Sequence, residues 1–215
     1  MGRLLPLPPR NGRLVTLEGP EGAGKTVIAR RLAAALEDAG HAVVLTREPG
    51  GTSLGERLRE VVLASDGDRI GPRTDALLFN AARAQLVAEV IGPALDAGEV
   101  VLCARYTDST LAYQGYGAGV PLADLRALAD VATGGLVPDL TVVLDVAPEV
   151  GLARKAAADR TRFEATFDIA FHERVRAGFL ELAAAEPGRF VVVDAGRPVD
   201  VVYGDVLEVV LAAIG

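Results

Sequence analysis

Residues 13–40 read RLVTLEGPEGAGKTVIARRLAAALEDAG. RLVTLE is a short apolar run of β-strand type, and TVIARRLAAALEDAG carries its apolar residues at helical spacing. Between them lies GPEGAGKT, residues 19–26, which matches the pattern G-x-x-x-x-G-K-[ST]. Gly19, Gly22 and Gly24 let the backbone turn so that successive N–H groups point inward at phosphate oxygens. The helix N-terminus adds partial positive charge at the same place. Pro20, Glu21 and Ala23 complete the cradle, Lys25 is set to reach the terminal phosphates, and Thr26 is set to bind Mg²⁺. A strand, this loop and a helix in immediate succession predict a P-loop nucleotide-binding protein. That class holds kinases, GTPases and motors.

Outward from the loop, short apolar runs alternate with longer amphipathic segments, the pattern of a parallel sheet wrapped by helices. Strands are expected near 13–18, 42–46, 99–103, 140–146 and 189–193. Helices are expected near 25–39, 54–63, 74–97, 122–132, 165–185 and 199–213. The fold class is therefore α/β, a three-layer P-loop NTPase sandwich with a five-stranded parallel sheet. The chain's 215 residues suit one domain, 13–215, after a flexible arm over residues 1–12. The basic stretch GLARKAAADRTRFEA, 151–165, has no convincing apolar stripe and on charge alone reads as a solvated helix end.

Acidic residues outnumber basic ones by 29 to 22, a net charge of −7, so a nucleic-acid partner is disfavoured and any anion site must be local. No run reaches the length of a membrane span, and the single Cys103 fits a reducing cytoplasm. Base-reading N-K-x-D signals and long coupling elements are absent, which leaves a small kinase. Arg47 and Arg105 follow strands, where ligand crevices of α/β sheets open. Phe79 and Arg83 are four apart, so a helix places ring and guanidinium on one face.

With these pieces in order, the sequence resembles the thymidylate (dTMP) kinase family over essentially all of the chain after residue 12. The resemblance is carried by LEGPEGAGKT, TREPGGT, LLFNAARAQLV, ARYTDSTLAYQGYG, PDLTVVLDVAPEVGL and DRTRFE. It implies transfer of the ATP γ-phosphate to dTMP with Mg²⁺, and a homodimer. It further implies that Phe79 stacks on thymine and Arg83 hydrogen-bonds the base, with Arg47 and Arg105 on the dTMP phosphate. Glu21 would approach the acceptor sugar, and Tyr113 would close against C2′, with Ser109, Thr110 and Gln114 lining the same pocket. Family members whose P-loop lacks an Arg draw arginines from a mobile lid, here 151–165. Arg154, Arg160 and Arg162 are thus lid candidates, Glu164 a Mg²⁺-associated acid, and Arg197 a candidate against adenine.

One position departs from the family pattern. Where Asp-Arg-Tyr or Asp-Arg-His is expected, this chain has Ala104-Arg105-Tyr106. The alternatives are an introduced substitution that slows turnover, a native alanine with Glu164 or Asp145 sharing the metal role, and a weakened kinase that mainly binds nucleotides. Asp108 is expected to project elsewhere. A kinase for another nucleoside monophosphate is the nearest enzyme rival.

Overall fold

Leu14, Val15, Leu17 and Thr16 are all fully buried, so the strand they form, β1 (Arg13–Glu18), has to run through the middle of the molecule. In a computed structural model describing residues 11–64, 69–155 and 161–215, it is the central strand of a five-stranded sheet. The others are β2 (Val43–Arg47), β3 (Val100–Ala104), β4 (Leu140–Asp145) and β5 (Phe190–Asp194). Every pairing is parallel and the order is β2-β3-β1-β4-β5, so the tips of β1 and β3 are neighbours. The expected strand boundaries agree with these to within one residue.

The helices are α1 (Lys25–Asp38), α2 (Ser53–Leu63), α3 (Pro72–Leu86), α4 (Gly92–Asp96), α5 (Thr107–Thr110), α6 (Leu122–Thr133), α7 (Pro148–Arg154), α8 (Arg162–Thr166), α9 (Ile169–Ala185) and α10 (Val199–Ile214). Strand alternation sorts the core into two faces. Val15, Leu17, Leu102 and Val142 pack with Ile28 and Leu32 of α1 and Val206 and Val210 of α10. On the other face Leu14, Val101 and Cys103 meet Leu86, Ile91 and Leu95, while Val143 meets Phe171, Val175 and Phe179 of α9. Ala104 follows Leu102 by two residues, which turns it toward the α1 side.

Two helix expectations are corrected, and helical stretches at 107–117 and 148–154 join the expected ones. The helix over 74–97 is interrupted by a π-helical turn at Val87–Ile91, which separates α3 from α4. The segment expected as one helix over 165–185 breaks in two, because the Asp168 carboxylate accepts from the Phe171 N–H at 2.9 Å and starts α9 afresh. Residues 107–117 are helical, ending in a π-helical turn at Leu111–Gly117. That element is buried on nearly every side, so it shows no polar face and no amphipathic period. Residues 1–10 of the expected arm, and Arg160 of the expected lid, lie outside the described residues. No helix among the described residues is long and apolar enough to cross a membrane.

The phosphate loop is braced by α7. A Cβ added at Gly22 would run into the Gly151 carbonyl oxygen, and one at Gly151 into the Glu21 carbonyl oxygen. Gly151→Ala should therefore shift the loop and cost about 1–3 kcal/mol of stability. Gly188→Ala, where an added Cβ meets nothing within 4 Å, should change stability by less than about 0.5 kcal/mol. Urea denaturation of the two variants checks the difference.

Candidate active site

Gly19, Gly22 and Gly24 adopt positive φ of 127°, 69° and 90°, and α1 starts at Lys25 with no side-chain cap and no acid in its first turn. Its first N–H groups are thus left for an incoming anion. The Lys25 amine donates to the carbonyls of Gly19 (2.8 Å) and Pro20 (2.7 Å). Burial, and then the charge of Arg105, pulls it down to about 7. Thr26 is exposed at the same helix end.

Beside the loop, β3 ends in a chain reversal. Arg105 has φ 72°, the one positive-φ non-glycine among the described residues. Its N–H donates to the Leu17 carbonyl (2.9 Å), and the Tyr106 N–H donates to the Glu18 carboxylate (2.7 Å). The reversal sends the guanidinium back over the loop. There it donates to Glu21 (2.8 Å), to the Tyr113 hydroxyl (3.3 Å) and to Ser109 (3.2 Å), and reaches the Gly19 carbonyl at 3.5 Å. Tyr113 also donates to Glu21 at 3.1 Å, and Lys155 lies 3.7 Å from that carboxylate. Burial alone would raise the Glu21 carboxyl, but Arg105, Lys25 and Lys155 outweigh it and hold it at about 2.

These side chains line a cleft that Phe79 and Phe163 also wall. Of the expected residues it brings together Glu21, Phe79, Arg83, Arg105, Ser109, Thr110, Tyr113 and Gln114. Arg83 is only 1% exposed, and four of its five N–H groups go to Glu48, Asn80, the Tyr106 carbonyl and Thr110. Among the described residues the second N–H on Nη1 has no protein acceptor in these bonds and stays available to a ligand. Arg47 is exposed, pairs with Glu56 at 2.9 Å and does not line the cleft. Arg59 of α2 does, held by the Pro49 carbonyl at 2.9 Å.

The expected lid arginines are placed apart. Arg154 donates to the carbonyls of Ala195 (2.8 Å) and Gly196 (3.3 Å), in the turn that also holds Arg197. Arg197 itself is tied to the Asp194 carbonyl and to Asp205. Arg162 is buried and bound to Asp75 and the Val62 carbonyl, beside Phe163 at the cleft wall. Glu164 falls in α8, and its side chain lies outside the described residues. Asp145 is held by Arg176 through two 2.7 Å bonds. Asp108 turns away from the loop to Arg189 (2.8 Å), as expected for it.

Sequence reading missed Arg59, Lys155, Glu48, Glu18 and Asp75. Glu18 had a signal, an acid closing an otherwise apolar strand. Asp75 had one too, since it lies one turn before Phe79 and two before Arg83 on the same helix face.

A phosphate loop, an overlying arginine and an adjoining cleft with an aromatic wall define a P-loop kinase of a small acceptor. Comparison with known proteins narrows the class. The sequence profile described as thymidylate kinase matches residues 17–206. The thymidylate kinase of Deinococcus radiodurans is 57% identical over 189 residues, covering 88% of this chain and 91% of that protein. That of Solidesulfovibrio magneticus is 51% identical over 203 residues, covering 91% and 97%. The crystal structure of thymidylate kinase from Ehrlichia chaffeensis superposes with a TM-score of 0.75 at 32% identity, covering 93% of this chain and 98% of that one. The chain belongs to the thymidylate kinase family.

Glu18 supplies a pH test. Burial, and then Asp108, pushes its carboxyl up to about 7 against the hydrogen bond from Ser109 and the charge of Arg105. The folded value lies above the unfolded one, about 4.3. Its stabilising contribution is therefore complete below the unfolded value and is lost as pH rises through about 7. Relative to wild type, Glu18→Gln should gain stability on the order of 2 kcal/mol between about pH 5 and pH 8, read by urea unfolding.

Proposed function

We propose that this chain transfers the γ-phosphate of ATP to dTMP, giving dTDP and ADP. The observation that carries the reading is Arg105, which spans the phosphate loop and the adjoining cleft with one guanidinium. ATP phosphates fit the N-terminus of α1, where Lys25 would exchange its loop carbonyls for phosphate oxygens. The acceptor phosphate belongs near Arg59, Arg105 and Lys155, which line the cleft around Glu21. Phase and charge then do the work: two anions are held in line while cations meet the charge that develops between them.

The other end of the cleft suits a thymine. Phe79 and Phe163 offer flat apolar walls. The imide edge of thymine is a donor flanked by acceptors. The spare N–H of Arg83 and the carbonyl oxygen of Gln114 are its complements. Tyr113, pinned by Arg105 and Glu21, would be the wall that a ribose 2′-hydroxyl crowds.

Mg²⁺ fits as an ion arriving with the nucleotide phosphates, since its oxygen-rich shell needs few protein ligands. Thr26 would hold it, and the ion would neutralise phosphate charge. Among the described residues no cluster of three or more His, Cys, Asp or Glu forms a cage of its own. Asp145 is committed to Arg176. A homodimer is supported by exposed Leu77 on α3 and by exposed Leu54 and Val61 on α2 packed beside it. The lid reading keeps Arg154 and Arg160 as candidates for the ATP side; Arg162 would first have to leave its buried bond to Asp75.

Steady-state assays with dTMP, dUMP, dCMP, dGMP and UMP should show dTMP preferred; equal or better use of a purine acceptor overturns the proposal. In the same assay Ala104→Asp, which adds a carboxylate on the α1 side of the sheet, should raise kcat about tenfold or more with little change in the KM for dTMP. No gain would mean that ordering of the metal is handled elsewhere.

A further inference from the structure

Asp75 is 4% exposed in the first turn of α3, behind the cleft rather than in it. Both carboxylate oxygens are occupied. Oδ2 accepts from Gln114 Nε2 at 2.8 Å, and Oδ1 accepts from Arg162 Nη2. An ionised carboxylate only accepts, so Gln114 must face it with its NH₂ group. Burial raises the Asp75 carboxyl and Arg162 opposes that rise, since a proton on Asp75 would leave a buried guanidinium without its counter-charge. The side-chain oxygen of Gln114 is thereby turned the other way, toward the cleft that Gln114 lines, and among the described residues it has no hydrogen-bond partner. The same carboxylate anchors the start of α8, from which Phe163 forms a wall of the base pocket. Phe163 packs edge-on to Tyr113 at 5.5 Å and against Phe79 at 6.3 Å between ring centroids.

We infer that Asp75 is a positioning residue for base specificity: it fixes the Gln114 amide with its acceptor oxygen facing the pocket, and through Arg162 it seats the aromatic wall of that pocket. The inference rests on the dTMP reading above. An outward-facing acceptor matches a pyrimidine whose ring nitrogen carries a hydrogen, as in thymine and uracil. It opposes cytosine, whose ring nitrogen is itself an acceptor, and two acceptors face to face leave both unsatisfied. Free rotation of the Gln114 amide would erase that distinction, because its NH₂ could then face the ligand.

The test is kcat/KM for dTMP and dCMP in wild type, Asp75→Asn and Asp75→Glu. An asparagine offers Gln114 both a donor and an acceptor, so the amide is free to turn. The dTMP-over-dCMP preference should fall at least about tenfold in Asp75→Asn and be largely retained in Asp75→Glu, which keeps an acceptor-only group. An unchanged ratio, or an equal loss on both nucleotides, overturns the inference and leaves Asp75 a purely structural residue. Should the asparagine variant not fold, the wild-type protein still decides the matter by NMR. The Gln114 side-chain NH₂ should exchange slowly with and without dTMP and shift little on binding; fast exchange in both states, or a large shift, overturns the inference. Wild-type protein that phosphorylates no dTMP counts against the parent reading. Activity on dTMP with an unchanged ratio in Asp75→Asn counts against Asp75 alone.

Discussion

Arg105 faces the phosphate loop only because the chain reverses at the end of β3 with a left-handed backbone. A side-chain-bearing residue pays on the order of 1–2 kcal/mol for that conformation. The surroundings hold it there from both sides: the Leu17 carbonyl takes the Arg105 N–H, and Glu18 takes the next N–H and the Ser109 hydroxyl (2.5 Å). All three anchors depend on β1 and β3 being neighbours in the sheet. Strand order therefore places one guanidinium between the phosphate loop and the adjoining cleft. Glu21, Tyr113 and Ser109 then take their orientations from that guanidinium.

The same accounting explains how a chain of net charge −7 can hold two anionic nucleotides. Among the described residues, three of the four buried acids are ion-paired inside: Glu48 with Arg83, Asp75 with Arg162 and Asp108 with Arg189. Each pair removes a negative charge from the field seen in the cleft and fixes a side chain that shapes it. Among the described residues, the cleft is lined by Arg59, Arg83, Arg105 and Lys155 against two carboxylates, Glu21 and the Arg83-paired Glu48. Local cation density, not net charge, decides what binds.

Much of this was legible from residues alone. The loop GPEGAGKT between a strand and a helix pointed to the layer architecture, and the short apolar runs located all five strands. The cleft residues Phe79, Arg83, Arg105, Tyr113 and Gln114 followed from family-specific runs. The helix over 107–117 was not legible, because an element buried all round has no amphipathic signature. Nor was the division between Arg47 and Arg59. Arg47 closes β2 and Arg59 lies within α2, and only the path of α2 decides which one enters the cleft. Buried acids behind the site leave a weak trace in sequence, since their role is set by the partner that folding brings to them.

Ala104 acquires a definite meaning from strand parity. Residue 104 points to the α1 side, toward the helix whose first turn carries Lys25 and Thr26. Glu18, at the tip of the neighbouring strand, has the opposite parity to Leu17 and is already bound to Tyr106 and Ser109. Asp145 is clamped by Arg176, and Asp108 by Arg189. No acid among the described side chains is therefore both unpaired and placed to stand in for a carboxylate at 104. On the proposed reading, neutralisation of phosphate charge would fall to Lys25, Arg105 and the loop N–H groups, and the protein's share of metal ordering to Thr26. On that reading, any cost of the arrangement would fall on turnover rather than on holding either nucleotide, because binding would use cations and backbone donors that the alanine leaves in place.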